Sequence, residues 1–495
     1  MTTTNAQPVG LTREGESILF PAVPFDMHQR SQRAVDDPKL IDAIEVATYT
    51  KVRAREKVCD EAFGDRYQAL RDLGGRIKQH TLDHLDHYLE QFIDNAQAAG
   101  VQVHYAADGE QANAICLDIA RREKLTACVK AKSMVTEETH LLAALEGIGI
   151  ETLETDLGEF ILQLDHDAPS HIVTPMIHKD RAAVARAFER ELGAEYTEDP
   201  EALTKIARRY LRDKYRRADL GISGGNFLVA STGSIVLCTN EGNATFSTTA
   251  PRVHVAFVGI EKLVPTPEHA AVLLKLLARS STGQPLTIYT DLITGPKRQA
   301  DSDGPEQVHV VLVDNGRTKI LEDRAMRESL RCIRCGACLN ACPVYRKVSG
   351  HSYGAVYSGP IGSLITPMFR GLENYRDLPY ASSLCGACYE ACPVKIDIPR
   401  LLIHLRNASN ERKMDTAIER IMFKAYAGSL RKTWRYRAAG AMQRLMLRAR
   451  ADRDGYVTRG PGPMANWTVN RDLPAPAKQS FRNWWQKRDR NGDRS

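Results

Sequence analysis

The sequence predicts three parts in series: an α/β domain built on a largely parallel sheet, an α-helical ferredoxin module, and a helical, basic C-terminal region. Three observations predict them. Short apolar strand-like segments alternate with helix-patterned segments between residues 101 and 313. Seven of the eleven cysteines fall between Cys332 and Cys392. Residues 401–495 hold 21 Lys/Arg against 8 Asp/Glu, although the whole chain carries only +6.

Residues 1–34 are polar and contain proline, and read as an arm. Residues 35–310 form the α/β domain with a helical N-terminal part. From Pro38 to Gly100 the pattern is helical, rich in Ala, Leu, Glu, Arg and Lys with few breakers. Strands are expected at Val101–Ala106, Ala127–Val129, Ile172–Thr174, Asn226–Ala230, Ser234–Thr239 and Val253–Val258. Helices are expected at Glu110–Arg122, Thr136–Leu145, Lys179–Leu192, Pro200–Arg217 and Pro267–Leu277. Gly295–Pro305 reads as the link that closes this unit, with a short strand, Val308–Val313, beyond it. The cysteine module is expected over residues 321–410 and the basic region over 411–495. Around Glu419–Arg450, Met, Leu, Ala and Trp434 are mixed with Arg and Lys. Such an amphipathic segment suits an anionic membrane surface or an acidic protein partner. No nucleic-acid motif accompanies the charge, so no nucleic-acid partner is expected.

Composition narrows the class. Hydrophobic residues make up 43% and charged residues 26%, as in a globular protein. No stretch reaches the roughly 20 apolar residues of a membrane-spanning helix. The N-terminus lacks a basic segment followed by an apolar one, so no secretory signal is expected and a cytoplasmic location is. Thiols there stay reduced, which argues against a disulfide framework.

The cysteine section carries the chemistry. Cys332, Cys335, Cys338 and Cys342, followed by Pro343, have the C-x2-C-x2-C-x3-C-P spacing of bacterial ferredoxins. A cubane needs one thiolate per iron, and two-residue gaps let one tight loop serve three corners. Gly336 and Ala337 are small enough for backbone N–H groups to approach the cluster sulfides. In two-cluster proteins the fourth cysteine serves the other cluster. A second motif follows, with Cys385, Cys388 and Cys392-Pro393. The crossed arrangement gives cluster one Cys332, Cys335, Cys338 and Cys392. Cluster two receives Cys342, Cys385 and Cys388, because Ser382 stands where a fourth cysteine would. Ser382 or water can complete a [4Fe–4S] site, a partner can supply the ligand, or the site holds [3Fe–4S]. Zinc also uses C-x2-C hooks, but seven cysteines with two Cys-Pro endings fit iron–sulfur better. Cys59, Cys116, Cys128 and Cys238 read as small buried residues.

In the α/β domain, Lys132, Glu137, His171, His178, Glu241 and Asn243 are candidates to line a small-anion pocket, although each alone suits a structural role. No dinucleotide fingerprint and no P-loop is present.

These residues resemble the lactate-utilisation protein B family, the iron–sulfur subunit of a three-subunit bacterial L-lactate oxidation system. The resemblance runs from about Asp36 to the 471–485 tail and rests on KSMVTEE (132–138), ETDLGE (154–159), PSHIV (169–173), VGIEKLVPT (258–266), DLITGP (291–296), CIRCGACLNACPVY (332–345) and PYASSLCGAC (379–388). It implies an N-terminal lactate-utilisation domain related to the deaminase and CoA-transferase folds, two clusters with the cysteine sets given above, and the other subunits as partners. It further implies a part in the oxidation of lactate to pyruvate; with the crossed cluster pair the expected role is electron transfer toward a membrane acceptor, and the basic region suggests peripheral contact at the inner membrane face. A protein of another class, a redox-sensing or ligand-binding regulator, is the alternative.

Overall fold

The computed structural model describes residues 19, 21, 23–414, 417–462, 464–469 and 471–490. Most of the expected arm, residues 1–18, 20 and 22, lies outside them. The rest of it is not all irregular: Met27–Val35 is a helix, capped by the Asp26 carboxylate, which accepts from the His28 and Gln29 N–H groups.

Ten strands form two sheets in the α/β domain: β1 Gln102–Ala106, β2 Ala127–Lys130, β3 Glu151–Glu154, β4 Leu220–Ser223, β5 Phe227–Val229, β6 Ser234–Thr239, β7 Val253–Gly259, β8 Leu263–Val264, β9 Tyr289–Ile293 and β10 Gln307–Val313. The main sheet is wholly parallel, in the order β1-β10-β7-β4-β2-β3. Its central strands read as near-continuous apolar runs because helices cover both faces. A smaller mixed sheet has the order β8-β5-β6-β9.

Three expectations need correction. Gly295–Pro305 does not close the domain, since β10 lies beyond it and pairs with both β1 and β7 in the sheet interior. Ile172–Thr174 is not a strand. The Val173 and Thr174 N–H groups donate to His171 Nδ1, at 3.0 and 3.1 Å, so they are not available to a ladder. The helix expected over Thr136–Leu145 is two helices, Met134–Glu138 and Leu141–Gly147. Ser133 caps the first, and His140 in the left-handed region (φ 59°) breaks the run.

The cysteine module follows β10. Its helices are Ala337–Ala341, Pro343–Val348, Gly359–Arg370, Ala387–Ala391 and Ile398–Glu411. The long N-terminal helix Pro38–Phe63 packs on Ala337–Ala341, on Pro343–Val348 and on the domain helix Pro267–Thr282. It thereby fastens the module to the sheet domain, and one hydrophobic core runs through all of them. Buried Arg71 adds polar anchors, donating to the carbonyls of Cys392 (2.9 Å) and Tyr389 (2.7 Å).

Residues 413–495 form a separate compact unit. Helices Ala417–Leu430 and Thr433–Arg448 pack together, and β11 Tyr456–Val457 pairs antiparallel with β12 Leu473–Pro474. A further helix, Phe481–Arg490, groups Phe481, Trp484 and Trp485. No described helix is long and apolar enough to cross a membrane.

Candidate metal centre

The two cysteine motifs are one structural unit used twice, offset by 50 positions, Cys335 onto Cys385. In the first, the chain enters the left-handed region at Arg334 (φ 62°) and Gly336 (φ 73°), forms the helix Ala337–Ala341, and ends extended at Cys342 before Pro343. In the second, Leu384 (φ 54°) and Gly386 (φ 86°) precede the helix Ala387–Ala391, which ends extended at Cys392 before Pro393. Glycine meets the left-handed requirement at the head of each helix without strain. Proline ends each helix because it has no N–H to continue the ladder. The two short helices pack on each other.

This packing sorts the thiols. Burial pushes the Cys335 thiol up, and the neighbouring Cys392 and Cys332 act in the same direction. Cys338 is likewise pushed up by burial, with Cys332, Cys335, Cys392 and Cys388 acting in the same direction. Cys392 rises to about 11 through burial, with Cys332 the thiolate that adds to it. Cys388 rises to about 12 through burial, with Cys342 and then Cys385 adjacent. Burial raises Cys342 too, with Cys385 acting on it. The structure thus brings Cys332, Cys335, Cys338 and Cys392 into one group and Cys342, Cys385 and Cys388 into a neighbouring one. All are free thiols. Five buried thiols that resist ionisation need a cationic core to become thiolates, and an all-sulfur donor set suits iron–sulfur. Backbone N–H groups already point at the sulfurs, from Arg334 to Cys332 Sγ (3.4 Å), Tyr345 to Cys342 Sγ (3.5 Å) and Ile396 to Cys392 Sγ (3.4 Å).

The first group is set against the carboxyl edge of the main sheet. Arg334 donates to Glu261 Oε1 (3.3 Å) and lies 4.4 Å from the Tyr357 ring centroid. Glu261 also receives Arg317 Nε (2.5 Å), and Arg317 forks onto both Glu138 oxygens (2.9 and 3.0 Å). Lys78, lowered to about 7 by burial and then by Lys262, donates to the carbonyls of Glu261 and Leu263. Lys262, also desolvated and next to Arg334, is lowered to about 8.

The expected anion-pocket residues spread over two neighbouring groups. Glu137 accepts from buried Lys130 (3.1 Å), which also bonds Glu154 (2.6 Å). Lys132 and Glu241 lie in the same charged neighbourhood, where burial lifts Glu241 to about 7. Asn243 accepts from the Thr239 hydroxyl, 3.1 Å away. His171 and His178 belong to the 165–180 loop, which Lys132 Nζ reaches through the Val173 carbonyl (3.3 Å). His171 is buried, lowered to about 3 chiefly by desolvation, and bonds Asn340 of the cysteine module (3.1 Å). His178 bonds Asp167 (3.0 Å) and Ser170 (2.9 Å). A cavity of about 500 Å³ lies elsewhere on the carboxyl edge, lined by Asp108, Glu138, His140, Asn315, Tyr357 and Arg370 among others. Left out of the candidates were Lys130 and Glu154, which close β2 and β3, and Glu159 on the following helix Leu157–Leu164, which cluster with Glu137. A Lys and a Glu each closing an apolar strand was the available signal.

A parallel α/β domain joined to a doubled ferredoxin-type cysteine module defines an iron–sulfur protein. Family models agree part by part. "LUD domain" matches residues 89–313, "4Fe-4S dicluster domain" matches 328–396, and "Lactate utilisation protein B, C-terminal" matches 405–490. The protein called lactate utilization protein B in Shouchella clausii is 43% identical over 96% of this chain and 99% of its own length. Those of Bacillus thuringiensis and Bacillus cereus are 43% identical over 93% of this chain and 96% of their own. The chain belongs to the lactate utilization protein B family.

Proposed function

We propose that this chain is the electron-transfer iron–sulfur subunit of a system that oxidises L-lactate to pyruvate, passing electrons toward a membrane acceptor. The observation that carries the reading is the pair of adjacent cysteine groups, each drawing its members from both motifs. Cys332, Cys335, Cys338 and Cys392 would hold one [4Fe–4S] cluster, and Cys342, Cys385 and Cys388 the other. Bound there, the clusters supply one-electron storage at two neighbouring positions. The chain's own residues set the terms. Arg334 and Lys262 put positive charge beside Cys332, Arg71 fixes the Cys392 turn, and exposed Cys385 marks where the second group meets solvent. The substrate class comes from the names of the relatives.

The partners we propose are the other subunits of the lactate system and the inner membrane face. The C-terminal unit supports both. It combines its excess of Lys/Arg with outward apolar side chains, Ile418 and Phe423 at 71% exposure and Leu445 at 74%. Deleting the gene in a strain with no second lactate route is expected to abolish growth on L-lactate. The wild-type gene should restore it, and a copy bearing Cys338→Ala should not. Anaerobically purified protein should carry both iron and sulfide. Unimpaired growth of the deletion strain, or zinc in place of iron, refutes the proposal.

A further inference from the structure

We propose that Ser382 is the fourth protein ligand of the second cluster, its Oγ taking the corner that Cys332 Sγ takes in the first. This deepens the function proposed above and rests on it. The 50-residue offset places Ser382 opposite Cys332, and the structure makes the two side chains equivalent as well as the two positions. Cys332 Sγ accepts the N–H of Arg334, two residues on, at 3.4 Å. Ser382 Oγ accepts the N–H of Leu384, two residues on, at 3.1 Å. Both donors sit in the left-handed region, at φ 62° and 54°. The same turn therefore aims the serine oxygen as it aims the cysteine sulfur.

The backbone around Ser382 is also held on both sides. Its N–H donates to the Tyr380 carbonyl (2.7 Å), and its own carbonyl accepts from Arg406 Nη2 (3.2 Å). Arg406 Nε takes the Pro379 carbonyl (2.9 Å), with the guanidinium 5.0 Å from the Tyr380 ring centroid. The four cysteines outside the module offer no replacement. Cys59 lies beside Tyr67 in the N-terminal helices, Cys116 and Cys128 are in the core under the main sheet, and Cys238 is on β6.

Binding requires only loss of the hydroxyl proton to solvent as the O–Fe bond forms. A ferric centre lowers the pKa of an oxygen it binds, and no electron moves in the step. Alkoxide is a harder donor than thiolate, so the serine-bound iron should be the most ionic of its cluster.

The test uses the full chain, purified anaerobically as wild type, Ser382→Ala and Ser382→Cys, with iron counting, EPR and Mössbauer spectroscopy. Wild type should hold about eight irons, the sum of two cubanes, with one iron distinct in the Mössbauer spectrum. Ser382→Ala should lose one iron per chain and show the EPR signal of an oxidised three-iron cluster. Ser382→Cys should keep the full count, lose the distinct iron, and raise the midpoint potential of the second cluster. Retention of iron by the Cys variant separates ligand loss from misfolding. Two clusters unchanged in Ser382→Ala would mean that solvent or a partner fills the corner, and a three-iron signal already in wild type would mean that nothing does. Either overturns the role of Ser382 and leaves the proposed function standing. Wild-type protein without iron overturns both.

Discussion

Arg317→Met is the most searching test of how the cysteine module is held to the sheet domain. Arg317 is fully buried between two carboxylates. It forks onto Glu138, reaches Glu261 through Nε, donates to the Asp314 carbonyl (2.9 Å), and lies 5.0 Å from the Phe369 ring centroid. Removing one partner of a buried ion pair costs about 3–5 kcal/mol, because the other is left charged and desolvated. Some compensation survives. Glu261 keeps Arg334, and Glu138 keeps Asn315 (2.6 Å) and the Tyr357 hydroxyl (2.7 Å). Loss of the contact with Phe369 adds about 1–2 kcal/mol, while the methionine side chain fills most of the space. The expected loss is about 4 kcal/mol near pH 7, read as a lower urea midpoint.

The pH dependence fixes the cause. Glu261 is held at about 2, below its ordinary 4.5; burial alone would raise it, and Arg317 followed by Arg334 overrides that. The stabilisation from a depressed carboxyl is complete above its unfolded value and disappears as pH falls through the folded one. In the variant the stripped carboxylates prefer to be protonated, so acid relieves the penalty. The gap between wild type and Arg317→Met should therefore narrow from about pH 7 to about pH 4. A loss below about 1 kcal/mol, or a gap indifferent to acid, refutes the reasoning.

Three further outcomes follow from the same geometry. Cys392→Ala should abolish the EPR signal of the first cluster and Cys342→Ala that of the second; the reverse result would show that each motif closes on itself. Gly350→Ala would put a methyl 1.6 Å from the Ser170 carbonyl oxygen, and thermal unfolding should show a loss of at least about 1–3 kcal/mol; an unchanged midpoint contradicts that packing. Glu159 is raised to about 7 by burial, so its ionisation destabilises the fold progressively as pH rises from about 4.5 through 7. Glu159→Gln should therefore be more stable than wild type at about pH 8 and little changed at about pH 5, and the opposite ordering in urea titrations would rule out a buried neutral carboxyl.

The cysteine module was legible because cluster chemistry dictates spacing, and spacing is what a sequence displays. The sheet domain was legible where strands are continuous apolar runs, as in β7 and β10, and less so where a side chain takes over the backbone. Ile172–Thr174 has strand composition, but His171 accepts its N–H groups, a choice made in three dimensions. The central place of β10 was hidden because the link before it looks like an ending, and parallel order is set by crossovers that composition does not record. The pocket candidates were legible only in part. Lys132 does reach the 165–180 loop, donating to the Val173 carbonyl (3.3 Å), but the Lys130–Glu154 pair beside it and the turn of His171 toward Asn340 are set by tertiary packing. Ser382 was visible as a missing cysteine. That its oxygen accepts the equivalent hydrogen bond was not.

The two halves of the cysteine repeat are alike in backbone and opposite in surroundings, and the difference lies in a few residues. Between Cys332 and Cys335 the first half has Ile333 and Arg334; between Ser382 and Cys385 the second has Ser383 and Leu384. Ile333 is buried and Arg334 reaches Glu261, so that loop is locked into the sheet domain by an apolar plug and a charge. Ser383 and Cys385 are exposed, and Leu384 carries no charge to anchor it. One half lies against Lys78, Lys262 and Arg334, and the other leaves Ser383 and Cys385 exposed. Of the two halves, the one that contains Cys385 is the more open to solvent, with Cys385 exposed and Cys332 half-buried.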